Sequence, residues 1–171
     1  TSDPCAYWRM RRTGGRNRIY NGAEDGYTRS KGTGHCVLFF LLFLYYCDAQ
    51  IMHMTRTLNT RDRELHYFYG ARALNEVFYL EDFLQIEKDF PNFTFHLALD
   101  RPDPAADAAG VKYTPGFVHN VIYETYLKDH EAPEDIEYYM CGPGPMSKSV
   151  IAMLDSLGVD ESSIMYDNFG G

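Results

Sequence analysis

The rhythm of apolar and polar positions changes near residue 48. Upstream, Arg11-Arg12-Thr13-Gly14-Gly15-Arg16 and Asn21-Gly22-Ala23-Glu24-Asp25-Gly26 are dense in turn residues, and neither a helical nor a strand period emerges. One stretch there differs: residues 37–46 are ten consecutive apolar side chains. A bilayer crossing takes roughly 20, so this run is too short to span one and reads as a buried strand or a core helix. Downstream, short β-prone runs alternate with helical periods.

The expected elements are a helix over 49–58, a strand over 65–69 closed by Gly70, and a helix from an Asn75 cap to about residue 89. That helix carries Val77, Phe78, Leu80, Phe83, Leu84 and Ile86 on one face. A second strand follows at 93–99, then a loop at 101–107, a helix at 117–127 and a third strand at 136–141. The last expected elements are a helix at 146–157 and a short strand at 164–166. Strands separated by helices of this length predict an α/β, doubly wound parallel sheet. The change of rhythm predicts two regions: an irregular, basic segment at 1–48 and a folded domain at 49–171.

Charge follows the same division. Residues 1–35 hold seven Lys/Arg and three Asp/Glu, whereas the remainder holds nine basic and 21 acidic residues, and the whole chain of 171 carries −8. An acidic body repels polyanions, which argues against nucleic acid as its partner. The basic arm reads first as a solvated tail. The four cysteines, Cys5, Cys36, Cys47 and Cys141, show no C-x-x-C pair and no iron–sulfur or zinc spacing, so no metal site is expected. Lys31-Gly32-Thr33-Gly34 lacks the residue order of a phosphate loop.

Candidate chemistry concentrates near the end of the chain. Glu137-Tyr138-Tyr139-Met140-Cys141 reads as a strand, Gly142-Pro143-Gly144-Pro145 breaks it, and a helix follows. A thiol at the carboxyl end of a strand, beside a helix amino terminus, occupies the place where open α/β sheets bind ligands. By itself Cys141 reads first as a buried core cysteine. Phe169, in the terminal Asn168-Phe169-Gly170-Gly171, offers a flat ring. Arg72 reads as an ion-pair partner or a ribose or phosphate contact, and Asp100 as a ribose partner or a loop cap.

Several motifs carry a family likeness: Tyr69-Gly70-Ala71-Arg72, Phe78-Tyr79-x-Glu81-Asp82-Phe83, Thr114-Pro115-Gly116-Phe117-x-His119-Asn120, Cys141-Gly142-Pro143 and the Phe169-Gly-Gly ending. In this order they resemble the pyridine-nucleotide module of the ferredoxin–NADP⁺ reductase superfamily. More narrowly they are similar to the carboxy-terminal module of the F subunits of Na⁺-translocating NADH:quinone reductases, from about residue 49 to the end. The resemblance implies NADH oxidation, with a hydride passing to FAD and electrons moving on to a 2Fe–2S cluster of the full subunit. It implies Cys141 at the nicotinamide and Phe169 over the flavin ring as catalytic positions. It places Tyr69, Gly70 and Arg72 toward the adenosine half of the cofactor, and Thr114, Gly116 and Phe117 toward the nicotinamide end; Asp100, Gly142 and Pro143 complete the expected cofactor-binding set. Implied partners are the other subunits of the reductase, on the cytoplasmic face of a bacterial inner membrane.

The chain also departs from the family. Such modules open with a strand and a Gly-Gly-Gly-Ala-Gly loop, where missing side chains let backbone N–H groups reach a pyrophosphate. His35-Cys36-Val37-Leu38-Phe39-Phe40 and its continuation to Asp48 stand there instead. The flavin-binding barrel and ferredoxin domain are not recognisable either. Two expectations therefore stand together: an NADH-oxidising module that depends on a flavin supplied from elsewhere, or a truncated, catalytically inactive fragment of that subunit.

Overall fold

The computed structural model describes residues 35–41, 51–57, 59 and 61–167, with 35–41 described by backbone alone. Six parallel strands form one sheet: β1 (His35–Leu41), β2 (Glu64–Ala71), β3 (Phe93–Leu99), β4 (Thr114–Pro115), β5 (Glu137–Cys141) and β6 (Ile164–Asp167). Their spatial order is β4-β3-β2-β1-β5-β6. Chain order runs outward from β1 to β4 on one side and then restarts at β5 on the other. This is the doubly wound arrangement expected, and its switch point lies between β1 and β5.

β1 supplies the opening strand that the family-like sequence lacks, seven residues upstream of the expected boundary at 48/49. The boundary itself, and the segment in the place of the glycine-rich loop, lie outside the described residues. β2 is buried from Leu65 to Ala71, as a central parallel strand covered on both faces should be.

Register sorts the side chains onto two faces. Leu65, Tyr67, Tyr69, Phe93, Leu97, Leu99 and Cys141 pack with Ile51 and with Phe83 and Ile86 of α1 (Leu80–Asp89). Phe68, Ala98, Tyr138 and Met140 pack on the opposite face. Their neighbours there are Val118, Val121 and Ile122 of α3 (Val118–Ile122), and Val150 and Leu154 of α4 (Gly144–Ser156). Fully burying one such Leu, Val or Phe contributes about 1.5–3 kcal/mol, so these two aromatic-rich layers dominate the stability of the sheet.

Several local expectations are corrected. The helix expected from Asn75 begins at Leu80, because residues 74–76 form a single 3₁₀ turn and the chain then leaves helical geometry. The Phe78 N–H donates to the Tyr69 hydroxyl at 3.2 Å instead of to a helical carbonyl. Tyr79 then adopts a left-handed conformation at φ 53°. The expected loop at 101–107 contains a short helix, α2 (Pro104–Ala108), capped by Asp103, whose Oδ1 accepts from the Ala105 N–H at 2.9 Å. In the region expected as a helix at 49–58, Ile51 and Met52 are α-helical and His53–Thr57 continue as a π turn. α3 likewise passes into a π turn over Tyr123–Leu127.

Candidate nucleotide-binding cleft

At the carboxyl ends of the strands, a cleft of about 530 Å³ bridges the switch point. That volume suits a small-molecule or cofactor site. One wall comes from the ends of β2 and β3: Gly70, Ala71, Arg72, Ala98 and Asp100. The turn between β4 and α3 brings Gly116 to His119, and the entry to α4 brings Pro143, Pro145, Met146 and Ser149.

Each wall has a local cause. Asp100 leaves β3 just after its N–H donates to the Ala71 carbonyl at 3.0 Å, which holds the two strand ends together at the rim. Gly116 donates its N–H to the Leu99 carbonyl at 2.6 Å with φ at +133°. A side chain there would have room, since an added Cβ meets only the Val121 Cγ2 at 3.8 Å, so backbone conformation is what demands glycine. Phe117 follows, 60% exposed, with its ring parallel to that of His119 at 6.1 Å.

Two helices start at this cleft. α3 begins after Phe117 and α4 after Pro143; neither has a side-chain cap and neither has an acidic residue in its first turn. By contrast α1 carries Glu81 and Asp82 in its first turn and α2 is capped by Asp103, and neither helix lines the cleft. N–H groups without a side-chain cap among the described residues, and the positive ends of the helix dipoles, therefore converge on one concave surface, which suits an anion such as a pyrophosphate.

The cleft brings together six of the candidate residues of the sequence: Gly70, Arg72, Asp100, Gly116, Phe117 and Pro143. Tyr69 lies beneath it in the core, its hydroxyl donating to the Glu76 carbonyl at 3.3 Å. Thr114 is half-buried on β4, paired with Ala98. Cys141 ends β5, 5% exposed, on the sheet face packed by α1, and Gly142 connects it to the cleft residue Pro143. Phe169 lies outside the described residues. Among the described residues no group of three or more His, Cys, Asp or Glu side chains could hold a metal ion.

Glu76 is not among the residues the sequence marks, yet it lines the cleft and binds Arg72 with both carboxylate oxygens. Its position four residues after Arg72 is the available signal. That bond holds the Glu76 carboxyl below the usual carboxylate range and raises Arg72 above the usual guanidinium value.

Comparison with known proteins agrees with this geometry. Residues 46–151 match the model of the oxidoreductase NAD-binding domain. The chain is 55% identical over 123 residues to the F subunit of the Na(+)-translocating NADH-quinone reductase of Neisseria gonorrhoeae, covering 72% of this chain and 29% of that protein. The same protein of Neisseria meningitidis serogroup B is 51% identical over the same length and with the same coverage. The chain thus spans less than a third of the curated relatives it matches. Among solved structures, the cytochrome b5 reductase domain of Ulva prolifera nitrate reductase superposes with a TM-score of 0.63 at 20% identity, covering 78% of this chain and 48% of that one. The ferredoxin reductase in carbazole 1,9a-dioxygenase gives 0.60 at 24% identity, covering 82% and 39%. At these identities the two structures speak to the fold alone.

Proposed function

The chain belongs to the family of oxidoreductase NAD-binding domains, and from that premise we propose that it is the NADH-docking module of a Na⁺-translocating NADH:quinone reductase. The observation that carries the proposal is the convergence of two uncapped, acid-free helix starts on a cleft at the switch point of the sheet. Its residues fit a nicotinamide dinucleotide. The starts of α3 and α4 suit the pyrophosphate, Arg72 and Asp100 the adenosine ribose, and the segment of Thr114, Gly116 and Phe117 the nicotinamide end.

Bound NADH supplies a hydride, so the protein's work is orientation rather than acid–base chemistry. In this reading Gly116 lets the backbone pass close to the ring, and the exposed Phe117 gives it a flat neighbour. Gly142 and Pro143 set the edge of the site at the end of β5, and Cys141 packs beneath that edge. Phe169 completes the flavin side. FAD and the 2Fe–2S cluster are carried by other parts of the full protein, which assembles with the remaining subunits at the cytoplasmic face of a bacterial membrane. Among the described residues no helix is long and apolar enough to cross a membrane.

A second reading, favoured by the Leu42-Phe43-Leu44-Tyr45-Tyr46 stretch where the family has its glycine-rich loop, is that the isolated chain is catalytically silent. Titrating it with NADH and following quenching of intrinsic fluorescence tests whether the isolated chain still docks the nucleotide. Saturable binding supports the docking module, and no binding at millimolar NADH leaves the silent fragment. In an intact subunit, Cys141→Ala should slow flavin reduction far more than it weakens NADH binding; equal losses would remove Cys141 from the nicotinamide edge.

A further inference from the structure

Among the described residues, the charged and titratable side chains lining the cleft are Arg72, Glu76 and Asp100, with His119 beside Phe117. Arg72 is 72% exposed at the end of β2, where α/β dinucleotide sites meet the adenosine ribose, yet its Nε–Nη2 edge is already occupied. Nη2 donates to Glu76 Oε1 at 2.5 Å and Nε donates to Glu76 Oε2 at 3.2 Å. This two-pronged contact is the one a guanidinium would otherwise offer a phosphate. The Arg72 backbone N–H also donates to Glu76 Oε2, at 3.3 Å.

The acid is held in place from below. Buried Tyr69 donates its hydroxyl to the Glu76 carbonyl and accepts from the Phe78 N–H at 3.2 Å, pinning the 74–76 turn against the core. An exposed ion pair adds little to stability, so its consequence lies in what the guanidinium can still bind.

We propose that Glu76 sets cofactor selectivity: by occupying Arg72 it makes the adenosine end of the cleft accept a ribose with a 2′-hydroxyl and reject one bearing a 2′-phosphate. The inference rests on the reading that the cleft binds a nicotinamide dinucleotide. A 2′-phosphate would meet the carboxylates of Glu76 and Asp100 and a guanidinium whose Nε–Nη2 edge is taken and whose charge is already countered. To bind through that edge, it must first break the Arg72–Glu76 contacts. A 2′-hydroxyl needs no such opening and can itself donate to a carboxylate at the rim.

The test measures NADH and NADPH dissociation constants for the full chain and for Glu76→Gln, Glu76→Gln with Arg72→Gln, and Asp100→Asn. The Gln oxygen still accepts from the Arg72 N–H, so Glu76→Gln keeps the turn. The wild-type chain should prefer NADH, and Glu76→Gln should shift the NADPH-to-NADH selectivity toward NADPH by about tenfold or more, the scale of one hydrogen bond to a charged group. Adding Arg72→Gln should abolish the shift, raising salt should shrink it, and Asp100→Asn should give a smaller shift of the same sign. An unchanged ratio in Glu76→Gln with NADH still bound, or a shift that survives loss of Arg72, overturns the selectivity role alone. Failure of the wild-type chain to bind either nucleotide overturns it together with the docking reading.

Discussion

The two ends of the sheet handle polar groups in opposite ways. Toward the amino-terminal side of β2, His66 lies buried between β3 and the π turn after α3. Its Nε2 contacts Glu64 Oε1 at 2.7 Å and its Nδ1 contacts His96 Nε2 at 3.2 Å. The Tyr126 ring covers His66 at 4.1 Å, and Phe68 stacks on His96 at 4.2 Å with planes 6° apart. There the polar atoms face one another, as buried groups must. At the carboxyl ends, the starts of α3 and α4 have no side-chain cap among the described residues, and Asp100 is exposed. The presence of histidines does not identify the site. What separates the two ends is whether donors are answered from within the chain or left for a ligand.

Substitutions at each end test that distinction, because the closed end should lose stability and the open end affinity. The largest effect belongs to Phe68→Ala. Phe68 is fully buried between His96 and the α3 layer, and removing its ring should cost about 3–5 kcal/mol in a denaturant titration. A loss under about 1 kcal/mol would mean that this end is loosely packed and the contrast is overdrawn. Next comes Gly116→Val at the open end. Its φ of +133° forces a branched side chain into a conformation costing about 1–3 kcal/mol. The distinguishing result is that NADH binding weakens by about tenfold or more while the protein stays folded. A variant that lost stability but bound NADH normally would remove the β4–α3 turn from the site.

Much of this architecture is legible in the sequence because parallel strands buried on both faces are written as nearly unbroken apolar runs, as in Leu65 to Tyr69 and Phe93 to Leu99. The start of α1 is not. Val77 and Phe78 fit a helical period, and only the fold brings the Tyr69 hydroxyl to the Phe78 N–H and takes that amide out of the helix. α2 hides in its sequence because two prolines dominate the Arg101-Pro102-Asp103-Pro104 segment, although Asp103 followed by Pro104 is also a helix start. For the site, the single residues Gly70, Asp100, Gly116 and Pro143 can be marked in the sequence, but their convergence comes from topology. Glu76 is visible as a charge four residues beyond Arg72. What hides its importance is that the same spacing is commonplace on solvated helices.

The smallest effect at neutral pH, and the sharpest test of the closed end, concerns His96. The contacts are satisfied with His96 neutral: His66 Nε2–H donates to Glu64, and one hydrogen bond joins His66 Nδ1 to His96 Nε2. A further proton would place a cation in a stack roofed by Phe68, with His66 beside it and Lys112 nearby. Burial first, then the charges of His66 and Lys112, lower the His96 pKa to about 4 from an ordinary 6.5. The unfolded chain therefore takes up a proton near pH 6.5 that the native state refuses until about pH 4. The stability associated with neutral His96 is complete above that upper value and is lost progressively as pH falls between the two. His96→Gln keeps an N–H donor and removes the titration. Its urea midpoint should track the wild type near neutral pH and fall less steeply between pH 6.5 and about 4. Parallel curves would show that His96 titrates in the native state as it does in water, and the closed end would then be as open to solvent as the cleft it was contrasted with.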